Sequence, residues 1–115
     1  MTISVSVFGD VLDFLIDSGS TYSLLDRRVA EEHAVPLLQE VSWVDAAGMR
    51  TVSPRARVPL QLGGIGGLEI VTTVLVPTIP LSYGVKGFIG ADILRQYDVT
   101  LEEAMLVLGP RVIVR

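Results

Sequence analysis

The chain has no cysteine, one histidine and one tryptophan among its 115 residues. The first absence excludes disulfides, thiolate metal sites and a thiol nucleophile, although it does not identify a compartment. With His33 as the one imidazole, set in a charged stretch and expected to face solvent, a Ser-His-Asp triad or a zinc site has little to build on. Charge is scarce as well. Only 19% of residues are charged and the net charge is −4, which argues against nucleic acid and anionic membranes as partners. No apolar run approaches the length of a transmembrane helix. Residues Met1 to Val5 lack the basic start and long apolar run of a signal peptide, so the expected location is cytoplasmic. What is abundant is apolar side chain, half of all residues, a composition that folds. The length suits one domain, 1–115, with no linker, low-complexity tract or evident repeat. So apolar a chain of this size predicts that a partner covers part of its surface.

Residues 2–8 alternate, with Ile3, Val5 and Val7 on one face and Thr2, Ser4 and Ser6 on the other, as in a half-buried strand. Gly9-Asp10 reads as a hairpin turn and Val11 to Ile16 as a second strand. Asp26 to His33 reads as a short helix stopped by Pro36, with Val29 and Ala30 inward. Its cap is Asp26, or Ser23 with Asp26 closing a capping box. Residues 37–62 read as a long hairpin whose tip is Asp45-Ala46-Ala47-Gly48; Pro54 and Pro59 predict irregular or edge segments in its returning arm. The glycine-rich 63–67 segment lacks the strand–GxGxxG–helix setting of a nucleotide site and reads as a turn. Leu68 to Pro77 is β-branched and strand-like, and 77–84 a loop. Phe88-Ile89 reads as a buried strand, Gly90 as a close backbone approach, and Asp92 as the start of a helix over 93–97. Segments 99–101, 105–108 and 112–114 read as closing strands, so that strands at both chain ends offer edges for pairing with another chain.

The stretch Phe14-Leu15-Ile16-Asp17-Ser18-Gly19-Ser20-Thr21 organises the rest. A carboxylate that ends an apolar strand needs a partner or a hydrogen bond. On these residues alone, Asp17 either closes an Asx-type turn or caps a helix, or is a functional carboxylate.

That stretch, hydrophobic-hydrophobic-Asp-Ser-Gly-Ser, resembles the catalytic loop of aspartic peptidases. About seventy residues on, Phe88-Ile89-Gly90-Ala91-Asp92-Ile93-Leu94 resembles the hydrophobic-hydrophobic-Gly segment and short helix of their retropepsin-like, single-lobe members. The resemblance runs over nearly the whole chain and is nearer to bacterial and DNA-damage-inducible-protein members than to viral ones. It implies a mainly β fold: a closed, barrel-like acid-protease lobe with a flap hairpin and one or two short helices, working as a homodimer on peptide or protein substrates without a cofactor. By resemblance, Asp17 is catalytic and Ser18, Gly19 and Ser20 support it. Ala46, Ala47, Gly48 and Met49 form the flap tip, and Leu15, Leu24, Val85 and Phe88 map to substrate pockets, where each equally reads as core. Asp92 fits a helix cap or a dimer contact. The activity implied is an aspartic endopeptidase; the alternative is a non-catalytic dimerisation or peptide-binding module of the same fold. Several features depart from the pattern: Ser at position 18, Thr21-Tyr22 after the motif, a flap with one glycine, and an extension over 109–115.

Overall fold

The computed structural model describes residues 2–17, 19–45, 47–63, 68–81 and 84–96. Strand β1 (Thr2–Val7) and strand β2 (Asp10–Ile16) pair antiparallel from Thr2↔Leu15 to Val7↔Asp10. Their turn is Phe8-Gly9, one residue earlier than expected. Both residues have positive φ, 50° and 88°, as a two-residue hairpin loop matched to the strand twist requires. Phe8 accepts this strained backbone while its ring lies 5.1 Å from that of His33. His33 does not face open solvent: it is half-buried, and its Nε2 lies 2.8 Å from Asp10 Oδ2. The alternation in β1 holds for Ile3, Val5 and Val7, but Ser6 on the opposite face is also buried.

Strand β3 (Leu24–Leu25) leads into helix α1 (Arg27–Glu32). Asp26 is the N-cap, its carboxylate accepting from Arg28 N at 2.9 Å, so the alternative box built on Ser23 is not formed. The helix ends before Pro36 can act. Val35 N donates to Ala30 O and Ala34 N to Glu31 O, a Schellman closure with Ala34 at φ 50° where glycine is usual.

Strands β4 (Glu40–Val44) and β5 (Arg50–Leu62) form the long hairpin. The returning arm is one unbroken strand despite its two prolines. Pro54 lies in the part paired with β4, and Pro59 in the part paired with strand β6 (Leu68–Leu75); neither opens an irregular segment. Strand β7 (Gly87–Ile89) and helix α2 (Ala91–Gln96) follow. Of the closing strands, 99–101, 105–108 and 112–114, and of Tyr97, all lie outside the described residues.

The strand order is β1-β2-β7-β3-β6-β5-β4, and β1 also pairs with β5 through Val5↔Leu62 and Ser6↔Gln61. The order therefore returns on itself as a ring of strands, with β4 attached outside it. Thus β1 is not a free edge at Val5 and Ser6, contrary to expectation. Phe14, Leu25, Val58, Leu60, Ile89 and Ile93 meet inside, each no more than 1% exposed. Burying six such side chains supplies on the order of 10 kcal/mol before chain entropy is set against it.

Candidate active site

Strand β2 runs parallel to β7, with Ile16 opposite Ile89, and Asp17 N donates to Ile89 O at 2.9 Å. The apolar ends of both strands are thus fixed side by side, and the chain leaves the sheet at Asp17 on one and at Gly90 on the other. The Asp17 carboxylate is half-buried. Its Oδ1 accepts from Gly19 N at 3.1 Å, and Ser20 N donates to the Asp17 carbonyl at 3.1 Å, closing a tight turn. A Cβ at position 19 would stand 3.3 Å from Asp17 Oδ1, so glycine leaves the carboxylate room. The Asx-turn reading of Asp17 is therefore real, and it leaves Oδ2 without a hydrogen bond among the described residues. Ser18 and Ala46 lie outside those residues.

The next residues are tied to α2. Ala91 N donates to Ser20 O (2.7 Å) and Asp92 N to Thr21 O (3.2 Å). Asp92 Oδ1 accepts from Ser23 Oγ (2.7 Å) and Ile93 N (2.8 Å), and its Oδ2 accepts from Ser23 N (3.0 Å). Ser23 Oγ accepts in turn from Gly90 N at 2.9 Å. Asp92 is the second residue of α2, which starts at Ala91, and so is not its N-cap; its carboxylate meets Ile93 N, but its larger role is this clamp on Ser23, which sequence reasoning missed. Gly90 is the close approach anticipated: a Cβ there would fall 2.6 Å from Tyr22 O and 2.8 Å from Ser20 O. Ser20 Oγ donates to Tyr22 O at 2.8 Å, so its hydroxyl braces the loop rather than the Asp17 carboxylate.

Asp17 opens onto a cleft of about 790 Å³. Its floor comes from Gly19 to Tyr22, Leu24 and Phe88. One wall is the β4–β5 hairpin, where Trp43 donates through Nε1 to Ser53 Oγ at 2.9 Å. The hairpin tip closes on itself: Asp45 Oδ1 accepts from Ala47 N and Met49 N, both at 3.0 Å, and Gly48 N donates to the Asp45 carbonyl. Ala47 lines the cleft, while Gly48 and Met49 do not. The rest of the lining is the loop Pro77 to Leu81, whose start is held by Arg27: Nη2 donates to Val76 O (3.0 Å) and Nε to Pro77 O (3.3 Å).

Of the four residues mapped to pockets, Leu24 and Phe88 are on this lining and Leu15 and Val85 are not. Val85 is 4% exposed and turned inward, and Leu15 is a half-buried β2 residue that does not reach the cleft. Missed in the sequence were Trp43 and the apolar Ile79 and Leu81. The available signal was two apolar side chains in a loop punctuated by Pro77 and Pro80, where polar residues are usual. No group of three or more His, Cys, Asp or Glu suited to a metal occurs among the described residues. Nor is any described helix long and apolar enough to cross a membrane.

A ring of strands that presents an Asp-x-Gly turn beside a hydrophobic-hydrophobic-Gly-helix segment, beneath a hairpin, is a retropepsin-like fold. Two solved structures share it. The retroviral protease-like domain of Ddi1 from Leishmania major aligns with TM-score 0.55 and 19% identity, covering 85% of this chain and 73% of that one. The EIAV protease in complex with the inhibitor HBY-793 aligns with TM-score 0.61 and 21% identity, covering 85% and 88%. A cellular and a viral protein are thus both similar to it in fold. The sequence profile of the aspartyl proteases matches residues 3–93, and the chain belongs to that family. No curated protein sequence matches it.

Proposed function

We propose that residues 1–115 act as one aspartic endopeptidase domain, in which Asp17 of each of two protomers forms a catalytic dyad. The observation that carries this reading is Asp17 itself, held in a turn at the end of a core strand, half-buried, and opening onto a cleft of about 790 Å³. Peptide hydrolysis of this kind takes two carboxylates about one water, and each chain has one Asp-Ser-Gly-Ser motif, so a two-fold dimer supplies the second. At ~3 Å and an effective dielectric of ~20, two carboxylates repel by on the order of 5 kcal/mol. Two ionised carboxylates so close are therefore disfavoured, and the dyad works with one proton shared between them, the behaviour for which aspartic-protease dyads are the standard example. The ionised member takes a proton from water while the protonated member polarises the scissile carbonyl and stabilises the gem-diol. By symmetry the two roles are assigned only when substrate binds.

Ser18 supplies a hydroxyl across the dimer axis beneath the carboxylates. Gly19 lets its backbone approach carboxylate and substrate together, and the Ser20 hydroxyl keeps the loop in shape. Residues Ala46 to Met49 form the flap tip, which closes over the peptide and excludes water while the peptide adds as a strand. Leu24 and Phe88 take apolar side chains beside the cut.

The test is digestion of an unstructured protein from about pH 3.5 to 7.5 by wild type and Asp17→Asn, with the oligomer mass measured alongside. Loss of the general acid-base pair should reduce cleavage at least a hundredfold, to about background. A dimer that binds peptide but cuts nothing at any pH would favour the binding-module alternative. A stable monomer would sink the dyad.

A further inference from the structure

We infer that Arg50 is a specificity residue that selects substrates carrying an acidic side chain near the apolar residues at the cut. The inference rests on the proposed peptide-binding role of the cleft and deepens it. Arg50 opens β5 opposite Val44, at the neck of the hairpin, and lies on the cleft lining. It is exposed and packs into no core. Of its five N–H donors, one is used, Nη1 to Ser42 Oγ at 3.1 Å, and no carboxylate pairs with it among the described residues.

Other arginines are differently employed. Arg27 spends its guanidinium on the carbonyls of Val76 and Pro77, and Arg55 Nη2 donates to Gln39 Oε1. The remaining ionisable groups on the described lining are Asp17, Tyr22 and Asp45. Asp45 has its Oδ1 committed to the hairpin tip, and Asp17 is the proposed catalytic group. Arg50 is therefore the one basic side chain on the described lining, beside two carboxylates, hydroxyl groups and apolar side chains, and it is in no ion pair among the described residues. A guanidinium with a free fork matches a carboxylate in geometry as well as charge. A peptide laid along the hairpin as an added strand presents alternate side chains to that wall, so one of its positions meets Arg50.

The experiment measures binding separately from cutting. Asp17→Asn protein is titrated with octapeptides of Leu, Phe and Ser carrying one Glu at each position in turn, and with their Gln and Lys counterparts. Trp43, the chain's one tryptophan, lies on the same wall, and its emission reports occupancy. Near pH 6, at one or two adjacent positions, Glu peptides should bind about two- to fivefold more tightly than Gln peptides, and Lys peptides more weakly still. The Glu advantage should fade below the ~4.3 of a glutamate side chain, since the guanidinium keeps its charge throughout. Arg50→Lys should retain the preference, Arg50→Gln should erase it, and Arg50→Glu should reverse it in favour of Lys. A preference that survives Arg50→Gln, or no charge preference at any position, overturns the inference. Failure of every peptide to bind overturns it together with the peptide-binding reading. Binding with the Glu preference intact, but no cleavage by the Asp17-bearing chain, upholds the inference and removes only the catalytic reading.

Discussion

Strand β5 lives two lives. From Arg55 to Leu62 it pairs with β6 and alternates cleanly, with Ala56, Val58, Leu60 and Leu62 buried at 2% or less. From Arg50 to Pro54 it pairs with β4 instead, and only Ser53 is buried. Its partner β4 has no fully buried residue. The backbone ladder is continuous across the change of partner, so hydrogen bonding does not distinguish the halves; side-chain burial does. One half is anchored by apolar burial, while the other is a two-stranded arm held by its ladder, its self-closing tip and the Trp43–Ser53 bond. Such arms sit at the low-stability end of a protein and are the parts able to move over a cleft. The activity proposed above would use both kinds of structure, a fixed Asp17 and an arm that closes over a peptide, and one strand joins them.

Leu60→Ala strikes the anchored half. It removes a fully buried side chain and should cost about 2–5 kcal/mol in chemical denaturation. A loss below about 1 kcal/mol would mean that this part of β5 is no core strand. Gly90→Ala tests how the core meets the site. The new methyl falls against the backbone carbonyls of Tyr22 and Ser20, which no rotamer can relieve, so about 1–3 kcal/mol of stability should be lost. Because the loop that must shift begins at Asp17, peptide cleavage at a temperature where the variant is fully folded should fall as well. Unchanged cleavage would show that the Asp17 geometry does not depend on this contact. The smallest effect belongs to Val52→Ala in the arm. Val52 is 52% exposed, and the change should alter global stability by no more than about 0.5 kcal/mol. Equal losses for Val52→Ala and Leu60→Ala would abolish the distinction between the two halves.

The local elements were legible because each carries its own signal. Alternation marked Ile3, Val5 and Val7; the cap residue Asp26 marked α1; the Asp45 to Gly48 turn marked the hairpin. Errors fell where a turn register or a capping pattern overrode a single-residue rule. Phe8 took the left-handed turn position because the β1–β2 register pairs Val7 with Asp10. Pro36 proved unnecessary to end α1, since the Schellman closure at Ala34 ends it first. Prolines 54 and 59 did not break β5; each has one strand partner among the described residues, so the edge alternative held and the irregular one did not.

By itself the sequence determined the kind of chemistry to look for: one carboxylate at the end of an apolar strand, followed by glycine, with no thiol and a single imidazole to compete for the role. It also marked most of the segments that become strands, through side-chain periodicity, a property of neighbours along the chain. The tertiary structure alone decided what surrounds that carboxylate. It set Gly90 against Tyr22, closed the carboxylate of Asp92 on Ser23 from 69 residues away, turned Leu15 and Val85 away from the cleft, and brought Trp43, Arg50 and Ile79 to it. Those contacts depend on how the parallel β2–β7 pair and the ring of strands fold back in space, and no spacing along the chain encodes which distant side chains then face each other.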